Sequence, residues 1–458
     1  MNKNLSAAVI LLLLLAVGWL GARALDIRRP KPRPAPAPPA SVPVPAPEKP
    51  AAFVSDPPAS LSASTAEIEA VRSEARAREA AGDFEGAITV VRLKLQEFPQ
   101  DQLLARDLSH LFAVRGWQRR DAHDLSSARG FFKEALFYWP GNQEAMRGLA
   151  FISAEEQDRP QAEEWVRRYF AAGGDRPEVY ALQGRIAYED ERLTEALYYF
   201  EASLALDPRQ TEVAAMVEKI RRERRVESGF ARRDTRHFVI KYEGQELPGV
   251  WRLVETVCEE AYLEVGRKLG HYPELPVTVI LYTDRQFQDA TRSPAWAEAI
   301  FDGKIRIPAK GLMAKNDELV RIVMHEYAHA VVHDLARGRA PIWLHEGVAQ
   351  SCEGTPTDVG FVARRIVAGG GPLPLTAIEG MFVTMPQKQA ELAYIQSRLA
   401  AIYLNETGGP FVLRELLRRL GEGGSLAEAV RGATGLAYPD LDADFQEWVR
   451  QAAGPHNP

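Results

Sequence analysis

Three alanines, Ala128, Ala162 and Ala196, stand 34 residues apart, and each precedes Pro140, Gly174 or Pro208 by twelve. Ala87 has the same relation to Pro99. Twelve residues upstream of Ala87, Ala162 and Ala196 lie three more small residues, Ala75, Ala150 and Gly184. Proline and glycine end helices. Small residues at a crossing let two helices approach, where bulky side chains would hold the axes apart. The pattern therefore requires stacked antiparallel helix pairs, about four units over residues 66–208, with a closing helix from about Gln210 to Arg225. The step of 41 between Ala87 and Ala128 breaks the period and implies an insertion near Arg115 to Ser126.

This array resembles the tetratricopeptide repeat, whose period is 34. GDFEGAITVVRLKLQEFP, LSSARGFFKEALFYWP and RLTEALYYFEASLALDP carry its second-helix pattern. The resemblance implies that a peptide segment or partner protein binds the array.

The 458 residues leave room for more than the array. With 46% hydrophobic and 26% charged residues the chain is neither wholly disordered nor a multi-span membrane protein. A net charge of −6 gives no nucleic-acid footprint. Two cysteines exclude a disulfide scaffold and a Cys-rich zinc site.

Ahead of the array, Leu5 to Leu20 is an apolar run that reaches spanning length with Gly21 to Leu25. It reads as a signal anchor, or as a signal peptide cleaved near Ala24. Both direct the chain to a membrane or through it, with secretion the alternative if the segment is cleaved. The expectation is a single-pass, bacterial-type inner-membrane protein with its folded part extracytoplasmic. Arg28, Arg29, Lys31 and Arg33 follow the run and argue for the cytoplasmic face. Residues 26–62 hold 12 of the 31 prolines and read as a polyproline spacer, or as a ligand for a proline-binding domain.

From about Asp234 the pattern changes. HFVIKY alternates as a strand, PVTVILY reads as a buried strand and GKIRIP as a short one. Asn316 or Asp317 then caps an apolar helix that carries His325, Glu326 and His329. Histidines at i and i+4 share one helix face and can converge on one cation at ~2.0–2.1 Å. Glu326 can act beside them as general base toward a water on the metal. Two histidines and a glutamate buried without a partner would be costly, and a metal removes the cost. Glu346, seventeen residues after His329, completes a His₂Glu set with one position open.

HEYAHAVVHDLARGRAPIWLHEGVAQ resembles the core of the gluzincin metallopeptidases, and most closely the peptidase MA-like group with its W-L-x-E-G-x-A stretch. The resemblance covers roughly residues 235–450. It implies Zn²⁺ held by His325, His329 and Glu346, with Glu326 as catalytic base. It also implies an oxyanion-stabilising tyrosine in ELAYIQSRLAAIYL. Tyr394 is chosen over Tyr403 because Tyr394-x-Gln396-Ser397 matches the group's helix. The strand at residues 303–308 is expected to be an edge that pairs with extended substrate. His333 continues the ligand face and is read as surface or supporting, His345 likewise. Gln350 is read as an acceptor for a ligand imidazole N–H.

The fold class is thus multidomain. Residues 1–25 are the membrane segment, 26–62 the linker, 63–228 an all-α array, and 229–453 an α+β zincin-like metallopeptidase domain. The function implied is a membrane-tethered zinc endopeptidase acting on a protein or peptide, its repeats recruiting substrate or partner. The G-x-M-E-N pattern of aminopeptidase relatives is absent, which favours cleavage within chains. The alternatives are a repeat scaffold with an inactive metal domain, or hydrolysis of a non-protein bond.

Overall fold

The computed structural model describes residues 65–244, 249–292, 299–309, 314–380, 382 and 385–454. The chain divides into two compact units at Ala214.

The first unit is a run of paired helices: α1 (Thr65–Ala80), α2 (Phe84–Glu97), α3 (Gln102–Asp121), α4 (Leu125–Tyr138), α5 (Gln143–Glu155), α6 (Arg159–Ala171), α7 (Pro177–Glu189) and α8 (Leu193–Leu206). Asp83, Asp101, Asp124, Asn142 and Asp158 begin five of them, each side chain accepting a first-turn amide. The periodic alanines Ala87, Ala128, Ala162 and Ala196 are completely buried. The phenyl ring of Phe132 lies where side chains on Gly116 and Gly148 would intrude, at 2.5 and 2.2 Å from an added Cβ.

The insertion lies elsewhere than expected. Helices α3, α5 and α7 end at Asp121, Glu155 and Glu189, on the 34-residue period. Gly116 also keeps that period, twelve residues before Ala128. The extra residues are spent at the start of α3, which has 20 residues against 13 in α5. Asp101 caps this extended helix, so the insertion adds about two turns without a loop.

The second unit opens within α9 (Thr211–Glu227), the helix expected to close the array. A five-stranded sheet follows: β1 (Phe230–Asp234), β2 (Phe238–Glu243), β3 (Val277–Tyr282), β4 (Ile300–Phe301) and β5 (Ile305–Pro308), in spatial order β1-β2-β3-β5-β4. β2, β3 and β5 are parallel, and the two outer strands are antiparallel to their neighbours. β1 and β4 escape sequence reading. β1 is FARRD, with charged exposed positions typical of an edge, and β4 has two residues. β4 also corrects the assignment of residues 303–308 as the edge. Gly303, at φ +92°, lies in the turn that folds Ile300–Phe301 outside β5.

Strand residues alternate between two cores. Phe238, Ile240, Val279, Leu281, Ile305 and Ile307 pack with α10 (Val250–Leu269) and α12 (Asp317–Leu335) in the large one. Ile280, Tyr282 and Ile300 face the other way, with Phe287 and Ala290 of α11 (Asp284–Thr291) and Val226 of α9. Helices α13 (Ile342–Cys352), α14 (Val359–Ala368), α15 (Gln387–Gly408), α16 (Val412–Gly421), α17 (Leu426–Thr434) and α18 (Tyr438–Ala453) complete the unit.

On the second face a charged cluster is buried. Arg306 of β5, 1% exposed, donates to Glu223 at 2.8 Å, to Glu227 at 3.3 Å and to Asp302 at 3.0 Å. Tyr282 donates to Glu227 at 2.6 Å, and Lys241 also pairs with that carboxylate. Lys219 reaches Asp302 at 2.7 Å. Helix α9 thereby grips the β4–β5 hairpin by charge.

The expectation of a single-pass inner-membrane protein is corrected. Among the described residues no helix is long and apolar enough to cross a membrane. The apolar run Leu5 to Leu20, the cleavage-like site near Ala24 and the proline-rich segment lie outside the described residues.

Removing one partner of a buried ion cluster strands the others. Arg306→Met is expected to destabilise the sheet unit by about 3–5 kcal/mol. Urea titration followed by hydrogen exchange at β3 and β5 amides measures it. A change no larger than that of a surface pair would contradict the clustering.

Candidate metal centre

Helix α12 begins at Asn316, whose side chain accepts the Leu319 amide at 2.8 Å. Its apolar residues, including Val323, Ala328, Val331 and Val332, are buried, and they carry His325, Glu326 and His329 inward with them. After α12 the chain turns at Arg337 and Gly338, both left-handed, and returns as α13 with Glu346. Gly347 makes the next contact possible. A Cβ there would lie 2.3 Å from the Ser397 carbonyl oxygen of α15.

His325, His329 and Glu346 converge, each at most 4% exposed. His325 Nε2 lies 3.1 Å from His329 Nε2 and 3.8 Å from Glu346 Oε2. His329 Nε2 lies 3.7 Å from Glu346 Oε1. Bonds of ~2.0–2.1 Å at tetrahedral angles put donors about 3.3–3.4 Å apart, so this triangle has the size of one face of such a site. Glu346 Oε2 is buried without a hydrogen-bond partner. A bare buried carboxylate oxygen is costly, and a cation at the centre of the triangle would offset that cost. The donor set, two imidazoles and a carboxylate, therefore fits a divalent metal ion.

The carboxylate that holds one of these imidazoles is one the sequence reading missed. His325 Nδ1 lies 2.8 Å from Glu353 Oε1. That bond puts the proton on Nδ1 and leaves the Nε2 lone pair toward the triangle. Glu353 follows Glu346 by seven residues, two helical turns, and so lies on the same face. That spacing was the available signal. Gln350, given this role from sequence, instead donates to the Tyr394 carbonyl at 2.9 Å. It ties α13, which carries Glu346, to α15.

The charges respond to burial and to each other. Burial draws His325 down, but the hydrogen bond and charge of Glu353, with Glu326 and Glu346, raise its pKa to about 9. Burial and the neighbouring His325 hold His329 well below its usual value. Burial raises Glu346 to about 7 and lowers His345 to about 4.

Tyr394 is buried, and burial followed by the charges of Glu353 and Glu346 keeps its hydroxyl protonated far above the ordinary range. Tyr403, the other candidate, packs on Phe445 and Trp448 instead. His333 is exposed, and His345 lies with its ring 5.7 Å from that of His329. Phe301 on β4 stacks 6.4 Å from the His329 ring, which brings the sheet edge to the triangle.

Two outcomes follow from this geometry. Glu353→Gln is expected to weaken metal affinity about 10–100-fold, read by competition with a chelator, while the fold is retained. The second concerns pH in the metal-free protein. A pKa raised by folding gives stability that is present below the unfolded value and lost as pH rises through the folded one. His325, and Glu346 up to about 7, therefore make the chelated protein less stable as pH rises from about 6.5 to about 9. His329 and His345 oppose this only at lower pH, where their unfolded forms take protons. Melting in chelator across that range measures it, and metal uptake should strengthen over the same interval. A flat or rising profile would contradict the assignment.

A family model described as Peptidase MA superfamily matches residues 257–451, and one described as Tetratricopeptide repeat matches residues 119–186. A search among curated proteins finds no match to this chain. Residues 257–451 thus form a peptidase MA superfamily domain, and tetratricopeptide repeats precede it in the chain.

Proposed function

We propose that the second unit is a zinc-dependent endopeptidase. The observation that carries this reading is the convergence of His325, His329 and Glu346 in a buried triangle that leaves Glu346 Oε2 without a hydrogen bond. Imidazole and carboxylate donors in that number suit zinc. Bound there, zinc supplies a Lewis acid that polarises a carbonyl and makes nearby water more acidic.

Glu326 shares the ligand helix and lies close enough for its charge to act on both His325 and Tyr394. As general base it takes a proton from the attacking water, whose oxygen bonds to the peptide carbon. The C–N bond then breaks, and Glu326 returns the proton to the leaving amine. The protonated Tyr394 hydroxyl donates to the oxygen that gains charge in the transition state. Glu353 holds the His325 ring, and Gln350 fixes the helix that carries Tyr394. An extended peptide backbone suits the outer edge of β4, beside His329. The helical repeats recruit the substrate or a partner protein.

Glu326→Gln is expected to keep one zinc per chain and to lose about 10²–10⁴-fold in cleavage of an unfolded protein. Tyr394→Phe should lower kcat about 10²-fold with little change in KM. Metal analysis and peptide-release kinetics on the full chain measure both. Wild-type cleavage by Glu326→Gln would contradict the mechanism. Zinc in both proteins with cleavage in neither would favour a binding scaffold.

A further inference from the structure

A polar cleft lies on the sheet face opposite the metal helix, between α9 and α11. Its volume is about 490 Å³, and its lining residues are Arg222, Arg225, Val226, Gln286 and Asp289. Val226 packs against the small core of Ile280, Tyr282 and Phe287, so the cleft has a fixed floor.

Arg222 is the unusual member. Its Nε is buried and has no hydrogen-bond partner among the described residues. Burial lowers its pKa, and the like charges of Arg292 and Arg225 act in the same direction. The acids whose charge reaches Arg222 have other partners. Glu223 accepts from Arg306 at 2.8 Å, and Glu218 from Arg221 at 2.6 Å. Asp289, the carboxylate in the lining, lies 3.9 Å from Arg285. The helix dipole accounts for Arg224 and Arg225 in the last turn of α9, but not for a buried guanidinium nitrogen a turn earlier. Gln286 uses its carbonyl to accept the Thr283 amide at 3.0 Å, which leaves its amide N–H groups to donate.

We propose that this cleft binds a small oxyanion of two or more charges, a phosphate monoester or a di- or tricarboxylate, held by Arg222 and Arg225 with Gln286 as a further donor. Planar guanidinium groups match such oxyanions in two-pronged fashion. An anion there would give Arg222 and Arg225 a counter-charge and relieve the repulsion among the arginines. The site is independent of the metal centre, so it stands or falls apart from the peptidase reading.

The test is calorimetric titration of the full chain at low salt with inorganic phosphate and, separately, with citrate. Saturable one-to-one binding to either, weakened by added salt, is expected. Binding of phosphate alone would identify the phosphate class, and binding of citrate alone the carboxylate class. Arg222→Gln should weaken binding about tenfold or more, with an unchanged circular dichroism spectrum. Arg221→Gln, one residue away but paired with Glu218, should bind as wild type does. No saturable binding of either anion up to about 10 mM would overturn the proposal. So would equal affinity in Arg222→Gln.

Discussion

Two imidazoles and a carboxylate meet in the interior of the second unit, and their mutual cost organises what surrounds them. His325 and His329 lie on a helix whose other residues are mostly apolar, and Glu346 reaches them from a second buried helix. In an apolar interior such groups must be neutralised, paired or joined through a cation. The shifts in their proton affinities, His325 upward, His329 downward and Glu346 upward, are the response of the metal-free cluster to that strain. A divalent ion would replace the protons and the opposed nitrogens with one shared centre.

The neighbouring structure holds this geometry. Glu353 fixes the His325 ring, Gln350 bonds to the backbone of Tyr394, and Gly347 lets α13 approach α15 to backbone contact. On the opposite side of the sheet, Arg306 and its carboxylates fasten the hairpin that carries Phe301 to the vicinity of His329. Buried ion clusters of this kind contribute little net stability against an apolar alternative. Their directional bonds do restrict how the hairpin can sit. That restriction matters if β4 receives substrate.

The sequence made much of this legible, and the gaps have physical causes. The spacing of the alanines reports helix crossings directly, so the repeats could be read. Gly116 keeps the same period, so the inserted turns lie at the start of α3 and not at its end, where the break between Ala87 and Ala128 places them. The i, i+4 histidines could be read because helical geometry alone brings them together. Glu353 was missed because a second carboxylate two turns beyond Glu346 looks like an ordinary helix end until its partner is known. The order of the strands was not readable. A two-residue strand such as β4 has no periodicity, and the turn at Gly303 gives no clue to which side it folds. Nothing in the sequence marks Arg306 and Lys304 as buried, yet both are at most 2% exposed. Both pair with carboxylates of α9, about eighty residues earlier in the chain.

The central claim is that one cation is shared by His325, His329 and Glu346. X-ray absorption at the zinc edge on the purified full chain tests it most directly. The account predicts two nitrogen donors at ~2.0–2.1 Å with imidazole outer-shell scattering, the remaining near neighbours being oxygen and none sulfur. A shell of six oxygens, a sulfur contribution, or a spectrum unchanged by His325→Ala and His329→Ala would contradict it.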